Sequence, residues 1–153
     1  MSKKTKRIVF ALLLLVIICL IVTYKVYISY NKITVSDYNI KSNQINKSLN
    51  AVIISDLHDN QLGENNEDLI NQINSLSPDI ILVVGDVLNQ DSKNSKIVTS
   101  LMKQLCKNHK VFYSLGNTGI DYIESGTSDL LKELEDIGVT VLDNEYKDVT
   151  VNE

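Results

Sequence analysis

Short apolar runs separated by amphipathic segments constrain the fold of this chain more than any other feature. Residues 52–54, 80–84 and 111–115 are short, mostly apolar and rich in strand-favouring side chains, as expected of strands buried on both faces of a sheet. A fourth short run follows at residues 139–142. Parallel strands need long crossover connections, and the intervening segments are long enough to be helices. The pattern predicts an α/β fold of order β-α-β-α-β-α-β with a mainly parallel sheet covered by helices.

Each connecting segment carries an apolar stripe at helical spacing. Asn65 or Asn66 could cap the first helix and Pro78 ends it, residues 92–95 offer caps for the second, and Gly138 ends the third. The stripes are Leu69, Ile70, Ile73 and Leu76, then Ile97, Val98, Leu101, Met102 and Leu105, then Leu130, Leu131, Leu134 and Ile137. Three helices are therefore expected between the four strands.

The N-terminal segment has a different composition from the rest of the chain. Residues 8–22 contain no charged or polar side chain, and the apolar character continues to about residue 28, which is close to the roughly 20 residues that cross a bilayer. Lys3, Lys4, Lys6 and Arg7 precede this run, and the positive-inside rule then places the N-terminus in the cytoplasm. We expect a single-pass anchor in the cell membrane with the remaining domain on the extracellular side. A cleaved signal peptide is the alternative, although no A-x-A-like site follows.

These patterns divide the chain into three expected parts. Residues 1–30 form the basic N-terminus and transmembrane anchor, residues 31–49 a polar stalk with a short strand at 33–40, and residues 50–153 one partial domain. All 19 acidic residues lie beyond residue 32 against nine lysines, so the exported part carries a net charge of −10. An acidic surface repels phosphate backbones, so a nucleic-acid partner is not expected. Cys19 and Cys106 do not form a disulfide framework.

Polar residues follow the first three predicted strands at regular spacing. Asp56, Asp86 and Asn117 are 30 and 31 positions apart, about one β-α-β unit each, and His58 lies beside the first. Such side chains meet at the carboxyl edge of a parallel sheet, where open α/β sheets bind ligands. Carboxylate and imidazole groups are good ligands for a divalent cation, although Asp and Asn after a strand are also common in ordinary turns. Gly85 and Gly116 would let the backbone turn sharply before the donors.

The same residues resemble the motifs of a known family. The stretches "SDLHDN", "VVGDVLN" and "YSLGNTG" are similar to the D-x-H, G-D-x-x-D/N and G-N-H-D/E motifs of calcineurin-like metallophosphoesterases, in the same order and with similar spacing. The resemblance covers about residues 50–145 and implies the first half of a metallophosphoesterase α/β sandwich. Membrane-anchored bacterial members of the family share the arrangement.

The resemblance implies a function and a ligand set. Asp56 and His58 would bind one divalent ion, Asp86 would bridge two, and Asn117 would bind the second, with Mn, Fe or Zn as the metal. The two ions would activate a hydroxide that hydrolyses a phosphomonoester or phosphodiester. Asn89 or Asp91 could orient a ligand or only interact with solvent, and solvation is preferred for Asp91.

The chain also departs from the family pattern. Thr118 stands where the family has a histidine that protonates the leaving group, and the family's later histidines, including a G-H-x-H motif, have no counterpart before Glu153. His109 is expected to be a solvated loop residue at the opposite edge of the sheet, and residues 145–153 are expected to form an unpaired edge strand. Metal binding is therefore expected to be weak unless a partner chain supplies ligands. The alternative function is a truncated, catalytically inactive remnant or binding module with a weak metal site.

Overall fold

The computed structural model describes residues 1–43, 45 and 47–151, and it separates into two compact units, Met1–Val35 and Ser36–Glu153. The first unit is dominated by helix α1 (Lys3–Asn31). The Ser2 side chain accepts a hydrogen bond from the Thr5 amide at its start, and the Lys32 amide donates to the Ile28 carbonyl at its end. The apolar side chains of α1 are exposed, and the helix is long and apolar enough to cross a membrane.

The second unit is built on a parallel sheet, as the sequence predicts. Strands β1 (Ala51–Ile54), β2 (Ile80–Val84), β3 (Lys110–Ser114) and β4 (Thr140–Val141) lie side by side in chain order, and every neighbouring pair is parallel. Helices α2 (Glu67–Ser75), α3 (Lys96–Leu105) and α5 (Leu130–Ile137) connect them. The predicted α/β fold class and element order are thus confirmed.

The predicted helix ends are mostly correct. Gly138 ends α5 in the left-handed conformation with φ 102°, and α2 ends before Pro78. Asn66 does occupy the N-cap position of α2, but its side chain accepts a hydrogen bond from the Leu62 amide instead of capping the helix. Ser95 precedes α3 without capping it, because its hydroxyl donates to Glu133 in α5.

The helices cover one face of the sheet. Strands in chain order joined by right-handed crossovers place all connecting helices on the same side, and α3 contacts both α2 and α5. The register aligns Ile54, Val83 and Tyr113, all of which are buried. On the opposite face Ile53 is 66% exposed and Val84 is 52% exposed. The prediction of strands buried on both faces was therefore wrong for β1 and for the end of β2.

Two predicted strands are absent, and one helix was not predicted. Residues 33–40 form no strand, and neither do residues 145–151 of the tail; residues 152–153 of the predicted tail strand lie outside the described residues. Helix α4 (Asn117–Glu124) directly follows the third strand. Its eight residues include Gly119, which lowers helix propensity and weakens the sequence signal.

Candidate metal centre

The loop after β1 has an unusual backbone conformation. Asp56, His58 and Asp59 have φ values of 56°, 47° and 58°, in the left-handed region that side chains other than glycine rarely adopt. Each such residue costs roughly 1 kcal/mol or more. Three of them within four positions are retained only where surrounding contacts fix the loop, and conformations of this kind are concentrated at functional sites.

The loop after β2 supplies those contacts. The amides of His58 and Asp59 donate to the carbonyls of Asp86 and Val87 at 3.0 and 2.9 Å, and the Asp56 amide approaches the Gly85 carbonyl at 3.4 Å. The two loops thus continue the β1–β2 pairing beyond the strands. Asp86 also has a left-handed backbone, with φ 52°. The main chain therefore holds the predicted donors of the first two motifs in one place.

Two glycines permit the close approach of the second and third loops. Gly85 has φ 69°, and a Cβ atom there would lie 2.6 Å from the Gly116 Cα atom. A Cβ atom on Gly116 would collide with the Asp86 carboxylate and lie 2.7 Å from the Asp86 amide nitrogen. The sharp turn predicted at both glycines is found at Gly85, whereas Gly116 is extended with φ −100° and ψ 179° and is needed for packing, because the two loops touch through their backbones.

The side chains of Asp56, His58 and Asp86 converge at this edge. One ligand atom from each lies within 4.8 Å of the others, a spacing at which the three could hold a single cation. Asp56 and His58 are exposed and Asp86 is half-buried, so the group is accessible from solvent. Two carboxylates and an imidazole suit Mn, Fe or Zn. The residues present therefore fit a divalent metal ion.

Asn117 and Thr118, at the start of α4, surround the Asp86 carboxylate. The Asn117 amide nitrogen, in its favourable orientation, donates to Asp86 Oδ2 at 3.2 Å. Thr118 donates its amide to Asp86 Oδ1 at 3.2 Å and its hydroxyl lies 2.8 Å from the same oxygen. Asp86 thus accepts a hydrogen bond from an amide in the first turn of α4 that has no partner within the helix, at a helix N-terminus where a negative charge is favoured. Asn117 lies beside the other three candidates, and its role as a metal ligand stays a prediction.

Other polar residues named from the sequence have different environments. His109 lies before β3 at the opposite edge, where its Nε2 atom is 2.7 Å from Asn74 Oδ1. It is half-buried and hydrogen-bonded, not simply solvated as predicted. Asn89 contacts His58, with Asn89 Oδ1 3.2 Å from His58 Nδ1, whereas Asp91 is exposed.

Tyr113 is a buried polar residue that the sequence did not single out. Its side chain is 0% exposed, and its hydroxyl has no hydrogen-bond partner among the described residues. Burial, with a smaller contribution from the negative charge of Asp86, raises the pKa of Tyr113 to about 12. The hydroxyl is therefore neutral at physiological pH and is buried near enough to Asp86 for the negative charge of Asp86 to affect it.

Fold and site together define a class of protein. A parallel α/β domain that gathers carboxylate, imidazole and amide donors at the carboxyl ends of successive strands has the arrangement of a metal-dependent α/β enzyme domain. The family profile described as calcineurin-like phosphoesterase matches residues 49–146. The chain belongs to this family, as its motifs indicated.

One curated relative is also similar to the chain. An uncharacterized metallophosphoesterase of Campylobacter jejuni is 26% identical over 140 residues, which cover 90% of this chain and 37% of the relative. The chain thus spans little more than a third of the length of that relative. No solved structure is significantly similar to this chain.

Proposed function

We propose that the chain is a metal-dependent phosphoesterase that hydrolyses phosphomonoesters or phosphodiesters. The observation that carries the proposal is the convergence of Asp56, His58 and Asp86, with ligand atoms within 4.8 Å of one another, in a member of the calcineurin-like phosphoesterase family. Divalent ions bound there would polarise a phosphate ester and lower the pKa of water. A solvent-accessible edge is consistent with a phosphate-ester substrate.

The residues have separate tasks in this proposal. Asp56 and His58 hold one cation, and Asp86, the half-buried member, supplies negative charge that can be shared with a second. Thr118 and Asn117 orient the Asp86 carboxylate through the hydrogen bonds described above. Asn117 would become a ligand of the second cation by turning its amide oxygen outward.

The number of donors limits how strongly metal is held. Asp56, His58, Asp86 and Asn117 can coordinate one cation well, but they leave two cations short of ligands, since such ions take four to six. Water, or donors from a partner chain, would complete the second coordination sphere. We therefore infer a first site that is stronger than the second.

The experiment uses the full chain in detergent micelles. With Mn²⁺ supplied, we expect one metal ion to bind measurably by titration calorimetry and an aryl phosphodiester to be hydrolysed. Asp86→Asn should abolish both, because the neutral amide removes the charge that holds the cations together. Asp91→Asn is the matched control, since Asp91 is an exposed carboxylate five residues along the same loop. Hydrolysis that persists in Asp86→Asn would refute the assignment.

A non-catalytic metal-binding module is the second candidate, and Thr118 is the observation that favours it. Its hydroxyl contacts Asp86 Oδ1 at 2.8 Å and the Leu88 carbonyl at 2.7 Å, so it serves the structure of the loop. A threonine hydroxyl is also a poor general acid near neutral pH. Metal binding without hydrolysis of any aryl phosphate, in a folded chain, would select this candidate over the enzyme.

The location in the cell is a further part of the proposal. Helix α1 is apolar enough to span a bilayer, and four basic residues lie within its first seven positions. We infer a single-pass anchor with a cytoplasmic N-terminus and an extracellular metal centre. Alkaline phosphatase fused to the C-terminus should then be active in intact cells. An inactive phosphatase fusion together with a fluorescent cytoplasmic-reporter fusion would show the opposite orientation.

A further inference from the structure

A polar network joins the first two loops beside the metal centre. Asn89, in the loop after β2, has its side-chain Oδ1 atom 3.2 Å from His58 Nδ1 and donates its Nδ2 group to the His58 carbonyl at 3.1 Å. The same Nδ2 group lies 3.3 Å from Asp59 Oδ2. Asn89 thus contacts both the ring and the backbone of His58. Within the described residues, the side-chain hydrogen bonds of this network link His58, Asp59, Asn89 and Ser92 and do not involve the carboxylates of Asp56 and Asp86.

The partners of Asn89 determine which way its amide faces. The His58 carbonyl and the Asp59 carboxylate can only accept hydrogen bonds, so the group between them must be the NH₂. The amide oxygen then faces His58 Nδ1, and this oxygen can only accept. Nδ1 of His58 must therefore carry the hydrogen. In a neutral ring this leaves the lone pair on Nε2, the nitrogen available to a cation.

Asp59 and Ser92 hold Asn89 in this orientation. Asp59 Oδ2 accepts the Asn89 backbone amide at 3.1 Å, and it also accepts the Ser92 hydroxyl. Ser92 Oγ lies 3.1 Å from the same Asn89 amide. The Asp59 main chain is fixed in turn by its amide bond to the Val87 carbonyl at 2.9 Å. Both the side chain and the backbone of Asn89 are thus tied to one carboxylate.

We propose that Asn89 is a positioning residue that fixes the tautomer and ring orientation of His58, with Asp59 and Ser92 as its support. The part of this proposal that concerns metal rests on the proposed function, and the part that concerns the tautomer does not. Partners of this kind around a metal-binding histidine commonly change metal affinity by 10- to 100-fold when they are removed.

The proposal explains why residue 89 is an amide and not a carboxylate. An aspartate at position 89 could not donate to the His58 carbonyl, and it would face Asp59 across a distance that now holds a hydrogen bond of 3.3 Å. Two carboxylates so close repel each other. The hydrogen bonds to the His58 carbonyl and to Asp59 therefore both require an amide at position 89.

The first experiment measures the tautomer in the metal-free chain. The full chain is labelled with ¹⁵N-histidine in detergent micelles, with a chelator present and at a pH where both rings are neutral. Only two histidines occur in the sequence, so the spectra are simple. We expect His58 to carry its hydrogen on Nδ1, and Asn89→Ala to convert it to a mixture of tautomers. Asn74→Ala is the matched control, because Asn74 is the partner of His109 and should change only that ring.

The second experiment measures Mn²⁺ affinity by calorimetry in the same variants. We expect a loss of about 10- to 100-fold in Asn89→Ala and no change in Asn74→Ala. Asn89→Asp should lose at least as much as Asn89→Ala, because a carboxylate at position 89 cannot donate to the His58 carbonyl and is repelled by Asp59.

The outcomes separate this proposal from the proposed function. A wild-type His58 with its hydrogen on Nε2, or a tautomer unchanged in Asn89→Ala, would overturn the positioning role without any variant having to bind metal. Equal Mn²⁺ affinity in the wild type and Asn89→Ala would overturn it as well. If the tautomer shifts as expected while the wild type binds no Mn²⁺, the positioning role stands and the proposed function fails.

Discussion

The two edges of the sheet carry similar polar residues, but the side chains at the two edges have different contacts. At the amino edge, Asn50, Asp79 and His109 precede β1, β2 and β3, and each pairs locally: the Asn50 amide donates to Asp79 Oδ2 at 2.8 Å, and His109 contacts Asn74 at 2.7 Å. At the carboxyl edge, Asp56, His58 and Asp86 bring ligand atoms within 4.8 Å of one another. The composition alone does not distinguish these two edges.

Backbone conformation does distinguish them. Asp56, His58 and Asp86 are all in the left-handed region, whereas Asn50, Asp79 and His109 are not. The amino edge pairs its polar groups with one another and with Asn74, whereas the carboxyl edge maintains an unfavourable backbone that brings three side chains together. This difference is what the proposed metal site requires of the carboxyl edge.

The largest expected effect comes from exchanging one carboxylate at each edge for an amide. Asp56→Asn should lower Mn²⁺ affinity by at least about 100-fold, since removing a charged donor exceeds the effect of removing its support. Asp79→Asn should leave affinity unchanged and cost about 1 kcal/mol of unfolding free energy, because it weakens the bond from the Asn50 amide. Calorimetry measures the Mn²⁺ affinity of both variants, and urea unfolding measures their stability. Equal Mn²⁺ affinity in the two variants would show that the two edges do not differ in metal binding.

A somewhat smaller loss of Mn²⁺ affinity is expected when the close approach of the second and third loops is disturbed by a larger side chain. Gly116→Ala places a Cβ against the Asp86 carboxylate, so we expect Mn²⁺ affinity to fall by tens of fold and stability to fall by about 1–3 kcal/mol.

Gly126→Ala is the control for a glycine substitution away from the centre. Gly126 has φ 72° with no atom within 4 Å of an added Cβ, so the change costs about 1 kcal/mol of backbone strain and should not alter metal binding. If Gly116→Ala binds Mn²⁺ as tightly as Gly126→Ala, the loops are less closely packed than described.

Substitution of Thr118 should lower Mn²⁺ affinity by a still smaller factor, through its contact with Asp86. Thr118→Val removes the hydroxyl that lies 2.8 Å from Asp86 Oδ1, so the carboxylate loses one of its fixed partners. We expect a decrease of about tenfold in Mn²⁺ affinity, at the low end of such effects. Thr118→Ser keeps the hydroxyl and should bind like the wild type. A serine variant that binds as weakly as the valine variant would show that the methyl group of Thr118 matters instead.

The strands and the position of the site could be predicted from the sequence, for a simple physical reason. Burial on a sheet requires apolar runs, and parallel strands must return after a helix, so the donors at positions 56, 86 and 117 fall at one edge whatever the details. Their joint presence with His58 distinguishes this edge in the sequence itself.

Other features depend on contacts that no local pattern encodes. The left-handed backbone of Asp56 and His58 results from pairing with the loop after β2, thirty residues away. Helix α4 was not predicted because Gly119 lowers its helix propensity, although this helix positions Thr118 on Asp86. The choice between Asn89 and Asp91 as the residue that contacts His58 also needed the structure, since both are polar and lie in the same loop.

The smallest expected effect concerns Tyr113, which lies beneath the carboxyl edge with an unpartnered hydroxyl. Tyr113→Phe removes a buried polar group without changing the shape of the core, so it should leave stability at pH 7 unchanged or raise it by about 1 kcal/mol. The pKa of Tyr113 is raised to about 12, above the ordinary value of about 10, so Tyr113 ionises first in the unfolded chain, and the wild type loses stability as the pH rises from about 10 towards 12. Urea unfolding of both proteins between pH 8 and 12 should therefore show a steeper alkaline decline for the wild type. Parallel declines would mean that the Tyr113 hydroxyl ionises as readily in the folded chain as in the unfolded one, and that it is not confined beneath Asp86.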